Sequence, residues 1–263
     1  MVLVLVRGTG DVGSAVAHRL FTEGLAVLIH ESPAPMTSRR GMAFTDAAFA
    51  GATQLDGVSA QVIDDLAALE GVLAARETIP VSLATFDRLL VASRPSVLVD
   101  ARMRKRAQPE VLRGLAPLTV GLGPNFVAGE TVDVAVETSW EALGRVVWAG
   151  PTLPLAGEPR AIAGHGRDRY VYASVAGVSR TGRAIGELVE LGECVGTIGE
   201  TPLLAPLSGI LRGLVRDGVP VAQRTKVIEV DPRGDAANVR GIGERPRRIA
   251  GGVLAAVRQG RAL

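Results

Sequence analysis

The residues best equipped for chemistry lie near the start of the chain. Gly8-Thr9-Gly10-Asp11-Val12-Gly13 follows an apolar run, VLVLV at 2–6, and opens a helical pattern in which Val12, Val16 and Leu20 recur. In a GxGxxG turn the first glycine makes the bend and the second lets backbone approach a pyrophosphate. The third permits close helix–strand packing. Backbone amides and the helix dipole then favour a phosphate. The next strand, LAVLIH at 25–30, ends at Glu31, where an acidic residue can hold a ribose hydroxyl. Gly8, Thr9, Gly10, Asp11, Gly13 and Glu31 are therefore expected to bind a dinucleotide. Arg39 and Arg40 in PAPMTSRRG would grip an extra phosphate bidentately, a pair of solvated loop charges being the plain alternative. GLGPNFVAG at 121–129 is expected to line the same cleft through Gly121, Gly123 and Asn125. Asn125 offers a donor and an acceptor to a base or pterin edge, although asparagine also suits a simple turn.

Redox catalysis also requires a proton donor beside the reacting carbon. His18 falls on the first helix and His30 in the second strand, where packing explains them; His165, in GHGRDR, is the one loop histidine open to a catalytic role. No SxxK, YxxxK, nucleophile elbow or HExxH occurs. The scattered histidines and single cysteine supply no zinc ligand set, so no metal is expected. Cys194 reads as a small buried hydrophobe within a strand. No catalytic residue is assigned, and turnover is left open. An NAD(P)-dependent oxidoreductase and a non-catalytic nucleotide-binding scaffold both stand as alternatives.

The whole chain bounds these readings. Its 263 residues and 27.3 kDa can bury a sizeable core, and 3% aromatic content leaves Val, Ile, Leu and Ala to fill it. Val2 to Val6 is broken by Arg7, too short to span a bilayer and without the flanks of a signal peptide. A cytoplasmic protein with no membrane partner is expected. One cysteine excludes an internal disulfide framework. The net charge is +2 with a pI near 9.1, and Lys105 and Lys226 are the only lysines. The densest basic cluster, Arg102, Arg104, Lys105 and Arg106, reads as a solvated strand end rather than an anion site, and no nucleic-acid partner is expected.

Strand-like runs at Val58 to Ile63, Ile79 to Leu83 and VLVD (97–100) alternate with helical patterns at IDDLAALEGVLAA and TFDRLLVAS. After Pro117, LTVGLG, VDVAVET and GRVVWAG read as closing strands. This predicts an α/β, Rossmann-like N-terminal domain with a parallel sheet over 1–155, with PTLPLAGEP (151–159) as linker. The second half repeats itself: ASVAGV (173–178) aligns with APLSGI (205–210) at an offset of 32 residues. Two such copies must pack together to bury their faces. They resemble the barrel-sandwich hybrid of biotinyl and lipoyl domains, expected over 165–231. The connection TIGETPLLAP carries no lysine, so no covalent biotin or lipoate is expected. Arg212, Arg216 and Arg224 would present a basic rim to an acidic partner. Residues 232–263, with RPRRIAGGVLAAVRQ, read as a C-terminal helical tail.

These segments together resemble the YqeB family, accessory proteins of selenium-dependent molybdenum hydroxylase systems. The matching stretches are VRGTGDVGSAVAHRL, IHESPAPMTSRRGMAFTDAAFAG, VLVDARMRKR, VGLGPNFVAGETVDVAVET, LGRVVWAG, APLSGILRGLVRDG, VDPRGD and RIAGGVLAAV. The resemblance implies a part in maturing or activating a molybdenum hydroxylase of the xanthine dehydrogenase type, through its molybdopterin or its sulfur or selenium ligand. The hydroxylase or its maturation machinery is then the expected partner, NAD(P) or a molybdopterin dinucleotide the expected ligand, and a homodimer is compatible. The family's Arg-Gly-His stretch between VVET and LGRV is missing from the shorter VETSWEALGRV here. Selenium dependence is therefore left open, and an ordinary sulfur-type hydroxylase could be the client.

Overall fold

The structure, a computed structural model, describes residues 2–104, 107–155 and 159–260. Lys105 and Arg106 of the basic cluster, and residues 156–158 of the anticipated linker, lie outside the described residues. Two units emerge, each assembled from separated stretches: Met1–Pro33, Ala43–Ala156 and Ile242–Leu263 in the first, Ala34–Met42 and Gly157–Gly241 in the second.

The first unit contains β1 (Leu3–Arg7), β2 (Ala26–His30), β3 (Ala52–Leu55), β4 (Val58–Val62), β5 (Ile79–Ser82), β6 (Val97–Asp100) and β7 (Leu118–Leu122). It continues with β8 (Val127–Ala128), β9 (Val134–Val136), β10 (Val146–Val147) and β11 (Gly150–Pro151). Its helices are α1 (Asp11–Thr22), α2 (Ala47–Ala50), α3 (Leu69–Ala75), α4 (Phe86–Ser93) and α5 (Glu244–Gln259). Among the described residues the main sheet has nine strands in the order β10-β9-β7-β6-β1-β2-β5-β4-β3, and β8 pairs separately with β11.

Strand alternation explains why β1 is apolar throughout. Val4 and Val6 face a core closed by Val12, Val16 and Leu20 of α1 and Ile249, Val253 and Val257 of α5. Leu3 and Leu5 face the opposite core with Leu69 and Leu73 of α3 and Leu89 of α4. A strand covered on both faces has no polar side to show. The helix α5 packs along α1 in this unit. No helix of the structure is long and apolar enough to cross a membrane.

The expectation of a Rossmann-like domain with a parallel sheet is corrected here: the sheet is mixed. Its interior strands are parallel, but β3 runs antiparallel to β4 and β10 antiparallel to β9. Connection length is the cause, because a parallel return needs a crossover of about a dozen residues or more. Only Asp56-Gly57, both at positive φ (44° and 83°), joins β3 to β4. That is hairpin-turn geometry.

The second unit holds β12 (Tyr170–Tyr172), β13 (Gly177–Arg180), β14 (Leu188–Val189), β15 (Cys194–Ile198), β16 (Thr201–Leu204), β17 (Gly209–Leu214), β18 (Pro220–Val221) and β19 (Lys226–Asp231). The sequence repeat is visible as β13-β14-β15 followed by β17-β18-β19, but the copies exchange strands. β13 pairs with β15 of its own copy and β18 of the other; β17 pairs with β19 and with β14. The barrel-sandwich hybrid expected here is corrected to two four-stranded antiparallel sheets, β12-β19-β17-β14 and β16-β15-β13-β18, each ending in edge strands. Among the described residues the two-residue strands β14 and β18 carry no further partner, so neither ladder continues past them. Cys194 is exposed rather than buried, since it begins β15 at the unit's surface.

Candidate functional site

Parallel pairing brings the carboxyl ends of β1, β2, β5, β6 and β7 to one end of the sheet, at Arg7, His30, Ser82, Asp100 and Leu122. The chain leaves β1 toward β2 on one side and later builds β6 and β7 on the other. Open α/β sheets leave a ligand crevice where the strand order reverses in this way.

The glycine loop sits at that reversal. Gly8, at φ 105°, donates its amide to the His30 carbonyl (2.9 Å). A Cβ at Gly8 would lie 3.2 Å from the Arg102 Cα, so the loops after β1 and β6 touch. Gly13 is more restrictive, because its Cβ would fall 2.0 Å from the Gly8 carbonyl oxygen. Glycine at this position lets the first turn of α1 close on the loop. Thr9 is fully buried and its carbonyl accepts from the Ser14 hydroxyl (2.7 Å) and the Thr45 hydroxyl (2.8 Å). The Glu31 carboxylate reaches back to the loop and accepts from the Thr9 amide (2.8 Å) and hydroxyl (2.7 Å). Its other oxygen accepts from the Ser32 amide (2.7 Å). Asp11 accepts from the Val12 amide (3.0 Å), and Gly10 stands at the N-cap of α1.

Beside the loop lies a charge cluster anchored on a buried cation. Arg7 is 5% exposed, lies with its guanidinium carbon 3.6 Å from the Phe86 ring centroid, and donates to Glu110 (2.9 Å). Among the described residues its Nε has no hydrogen-bond partner. Burial, and then its guanidinium neighbour Arg102, push the Arg7 pKa down. Arg102 grips Asp100 through its Nε (3.0 Å) and Nη2 (2.5 Å) and also reaches Glu110. Burial pulls the Arg102 pKa down, but the hydrogen bonds and charges of Asp100 and Glu110 together raise it. Arg104 donates to Glu110 as well (3.0 Å). Glu110 thus gathers Arg7, Arg102 and Arg104, and the Arg7 hydrogen bond leads in pulling its pKa down to about 2. Arg102 and Arg104 are therefore engaged rather than merely solvated. His30 donates from Nε2 to the Ala84 carbonyl (3.0 Å), and burial followed by the Arg7 charge lowers its pKa.

Gly121 lies within β7 near its carboxyl end, and Gly123 and Asn125 follow the strand at the same end of the sheet. The Phe126 ring lies where a Gly121 side chain would be, 2.4 Å from the Cβ position. Gly123 takes φ 98° and Asn125 φ 75°, and the Asn125 amide donates to the Ala107 carbonyl (3.2 Å). The enclosed space lined by Asp100, Met103, Arg104, Leu122 and Phe126 is only about 10 Å³. That is room for a single water, so a larger ligand would lie over the loops rather than within this cavity.

Arg39 and Arg40 belong to the second unit. Arg39 forks onto Glu229 (2.7 and 2.9 Å), and the Arg40 Nε donates to the Leu214 carbonyl (2.9 Å). His165, also in the second unit, pairs with Asp168 (2.6 Å), both exposed; His18 contacts the Asp56 carbonyl (3.2 Å) in the first. The sequence reading passed over Arg7, Glu110, Arg169 and Glu229. Arg7 did carry a signal, as a charge ending an apolar strand directly before a glycine loop.

No family model matches the chain. Over 258 residues it is 36% identical to "Uncharacterized protein YqeB" of Escherichia coli (strain K12), which covers 97% of this chain and 47% of that protein. The chain thus spans about half the length of this curated relative. Among solved structures it is similar to a succinylglutamate desuccinylase/aspartoacylase from Rhodobacter sphaeroides, at 16% identity over 81% of this chain and 61% of that one, with a TM-score of 0.24. An aspartoacylase family protein from Mesorhizobium loti shows 12% identity over 87% and 84%, with a TM-score of 0.26. Likeness at that level carries no argument about fold or activity.

Proposed function

Since the chain belongs to the YqeB family, we propose that its first unit binds a phosphate-bearing ligand over the glycine loop and thereby serves a molybdenum hydroxylase as an accessory or maturation factor. The ligand class is a dinucleotide, NAD(P) or a molybdopterin dinucleotide. The observation that carries the binding half is Arg7: a buried guanidinium with an unpartnered Nε, next to Gly8 and at the reversal of the strand order. Leaving such a donor unmatched in a low-dielectric setting is costly, and an anion would relieve it. Glu110, half exposed yet held by Arg7, Arg102 and Arg104, is a carboxylate where a ligand phosphate could exchange in.

Glu31 sets a condition on this reading. Its carboxylate already holds the Thr9 amide through one oxygen and the Ser32 amide through the other. A pyrophosphate would therefore use the amides beyond Thr9 at the start of α1, and a ribose hydroxyl would share the second oxygen with Ser32. Gly121, Gly123 and Asn125 would border the base or pterin. The hydroxylase half rests on the family resemblance alone, and sulfur and selenium clients are equally served by it.

The test is a titration of parent protein and Gly10→Val with NAD, NADP, ATP, CTP and molybdopterin dinucleotides. Micromolar binding of at least one by the parent, weakened by about tenfold or more in Gly10→Val with the fold retained, is expected. Absence of binding above millimolar background in the parent makes the loop structural. Client identity is read by deleting the gene in the native host and assaying its molybdenum hydroxylases.

A further inference from the structure

The second unit concentrates positive charge around two buried carboxylates of β19. Glu229, fully buried on β19, accepts hydrogen bonds from Arg39 (2.7 and 2.9 Å), Arg169 (2.6 Å) and Lys226 (2.8 Å). Two residues on, the buried Asp231 takes Arg233 (2.6 and 2.9 Å) and Arg212 (3.2 Å). Among the described residues, five cations therefore meet two carboxylates. Both carboxylates are held as anions: despite burial, Arg39 and Lys226 keep the Glu229 pKa well below the usual range, and Arg233 lowers that of Asp231.

Two of the cations are incompletely satisfied. The Nε atoms of Arg169 and Arg212 are buried without hydrogen-bond partners among the described residues. The Arg212 Nε stands 3.7 Å from the nearer Glu229 oxygen, already occupied by Arg39 and Arg169. Burial, and then the Arg39 charge, depress the Arg212 pKa.

The backbone is shaped for this convergence. The β17–β19 register slips between Leu211 and Gly213, so Arg212 is a bulge residue; the β12–β19 register slips between Val171 and Tyr172. Bulges re-aim side chains and recur beside binding sites. Gly213 lets strands and segment close up, for a Cβ there would lie 3.1 Å from the Glu229 Cβ and 3.3 Å from the Ser38 hydroxyl. The tips remain reachable, with side-chain exposure of 13% at Arg212, 22% at Arg39 and 28% at Lys226.

We propose that Arg39, Arg212 and Lys226, backed by Arg169, form an oxyanion site of the second unit that takes a phosphate group. A dianion would offset the excess charge and give the Arg212 Nε its missing acceptor, and guanidinium forks match phosphate oxygens in pairs. Every residue of this site lies in the second unit, so it stands independently of any ligand at the glycine loop.

Calorimetric titration with inorganic phosphate and with pyrophosphate, at ionic strength fixed with chloride, tests it. The parent should bind one of them saturably, and Arg212→Gln and Lys226→Gln should each weaken it by about tenfold or more. Gly10→Val should leave this affinity unchanged. Without phosphate, Arg212→Gln should melt no lower than the parent, because the substitution relieves like-charge crowding; a purely structural arginine would melt lower. No saturable binding by the parent, affinity unaffected by both substitutions, or loss in Gly10→Val but not in Arg212→Gln would each overturn the site.

Discussion

The Glu31 carboxylate accepts from both the amide and the hydroxyl of Thr9, at 2.8 and 2.7 Å, tying the end of β2 to the glycine loop after β1. The two residues are 22 apart in sequence, so the bond fixes a non-local contact. Replacing Glu31 by Gln keeps the size but removes the charge that strengthens both bonds. A loss of about 1 kcal/mol is expected, measured as a lower urea midpoint with an unchanged slope. An unchanged midpoint would mean that the loop holds its form without Glu31.

Gly13 tests how tightly that loop is closed. The Cβ of Gly13→Ala would sit 2.0 Å from the Gly8 carbonyl oxygen, a backbone atom that cannot swing aside. The expected cost is about 2 kcal/mol or more, read as a lowered melting temperature. Gly10→Ala is the control, because Gly10 already has ordinary extended angles (φ −61°, ψ 175°). If both variants melt alike, the close approach of α1 to the loop is not what fixes glycine at 13.

The docking of α5 depends on a similar approach. A Cβ at Gly252 would lie 2.2 Å from the Gly144 carbonyl oxygen and 2.9 Å from Val136 Cγ1, whereas one at neighbouring Gly251 meets nothing within 4 Å. Gly252→Ala should therefore lower the melting temperature by several degrees, about 2–4 °C for each kcal/mol lost, and speed proteolysis within α5. Gly251→Ala should do neither, and should favour the helix slightly. Equal behaviour of the two variants would contradict the packing described.

Much of the first unit was legible in its sequence, because strands covered on both faces must be apolar throughout. VLVLV, LAVLIH and VLVD became β1, β2 and β6, and TFDRLLVAS became α4. The antiparallel edges were missed. ATQL carries little apolar content and only the Asp56-Gly57 pair betrays its hairpin with β4. In the second half the 32-residue repeat was readable, whereas its strand exchange was not, since an internal alignment records similarity and not pairing. The charged clusters illustrate the same limit. Arg39 and Glu229 are 190 residues apart, and no local spacing announces that one will fork onto the other.

Glu110 supplies the prediction in which pH is the variable. Its carboxyl is held at about 2 against an ordinary 4.5, chiefly by the Arg7 hydrogen bond and then by Arg102 and Arg104. A depressed folded-state pKa means that the ionised group stabilises the fold above about pH 4.5, and that this contribution fades as pH falls toward about 2. Parent protein should therefore exceed Glu110→Gln in urea midpoint at pH 7, with the gap narrowing steadily between pH 4.5 and the acid limit. Because Glu110 is 50% exposed, added salt should shrink the gap at pH 7. Arg7 remains buried in the variant and loses its carboxylate, so phosphate at pH 7 should restore part of the lost midpoint if an anion can take Glu110's place. A gap constant from pH 7 to 3 would show that the three arginines hold Glu110 without stabilising the fold.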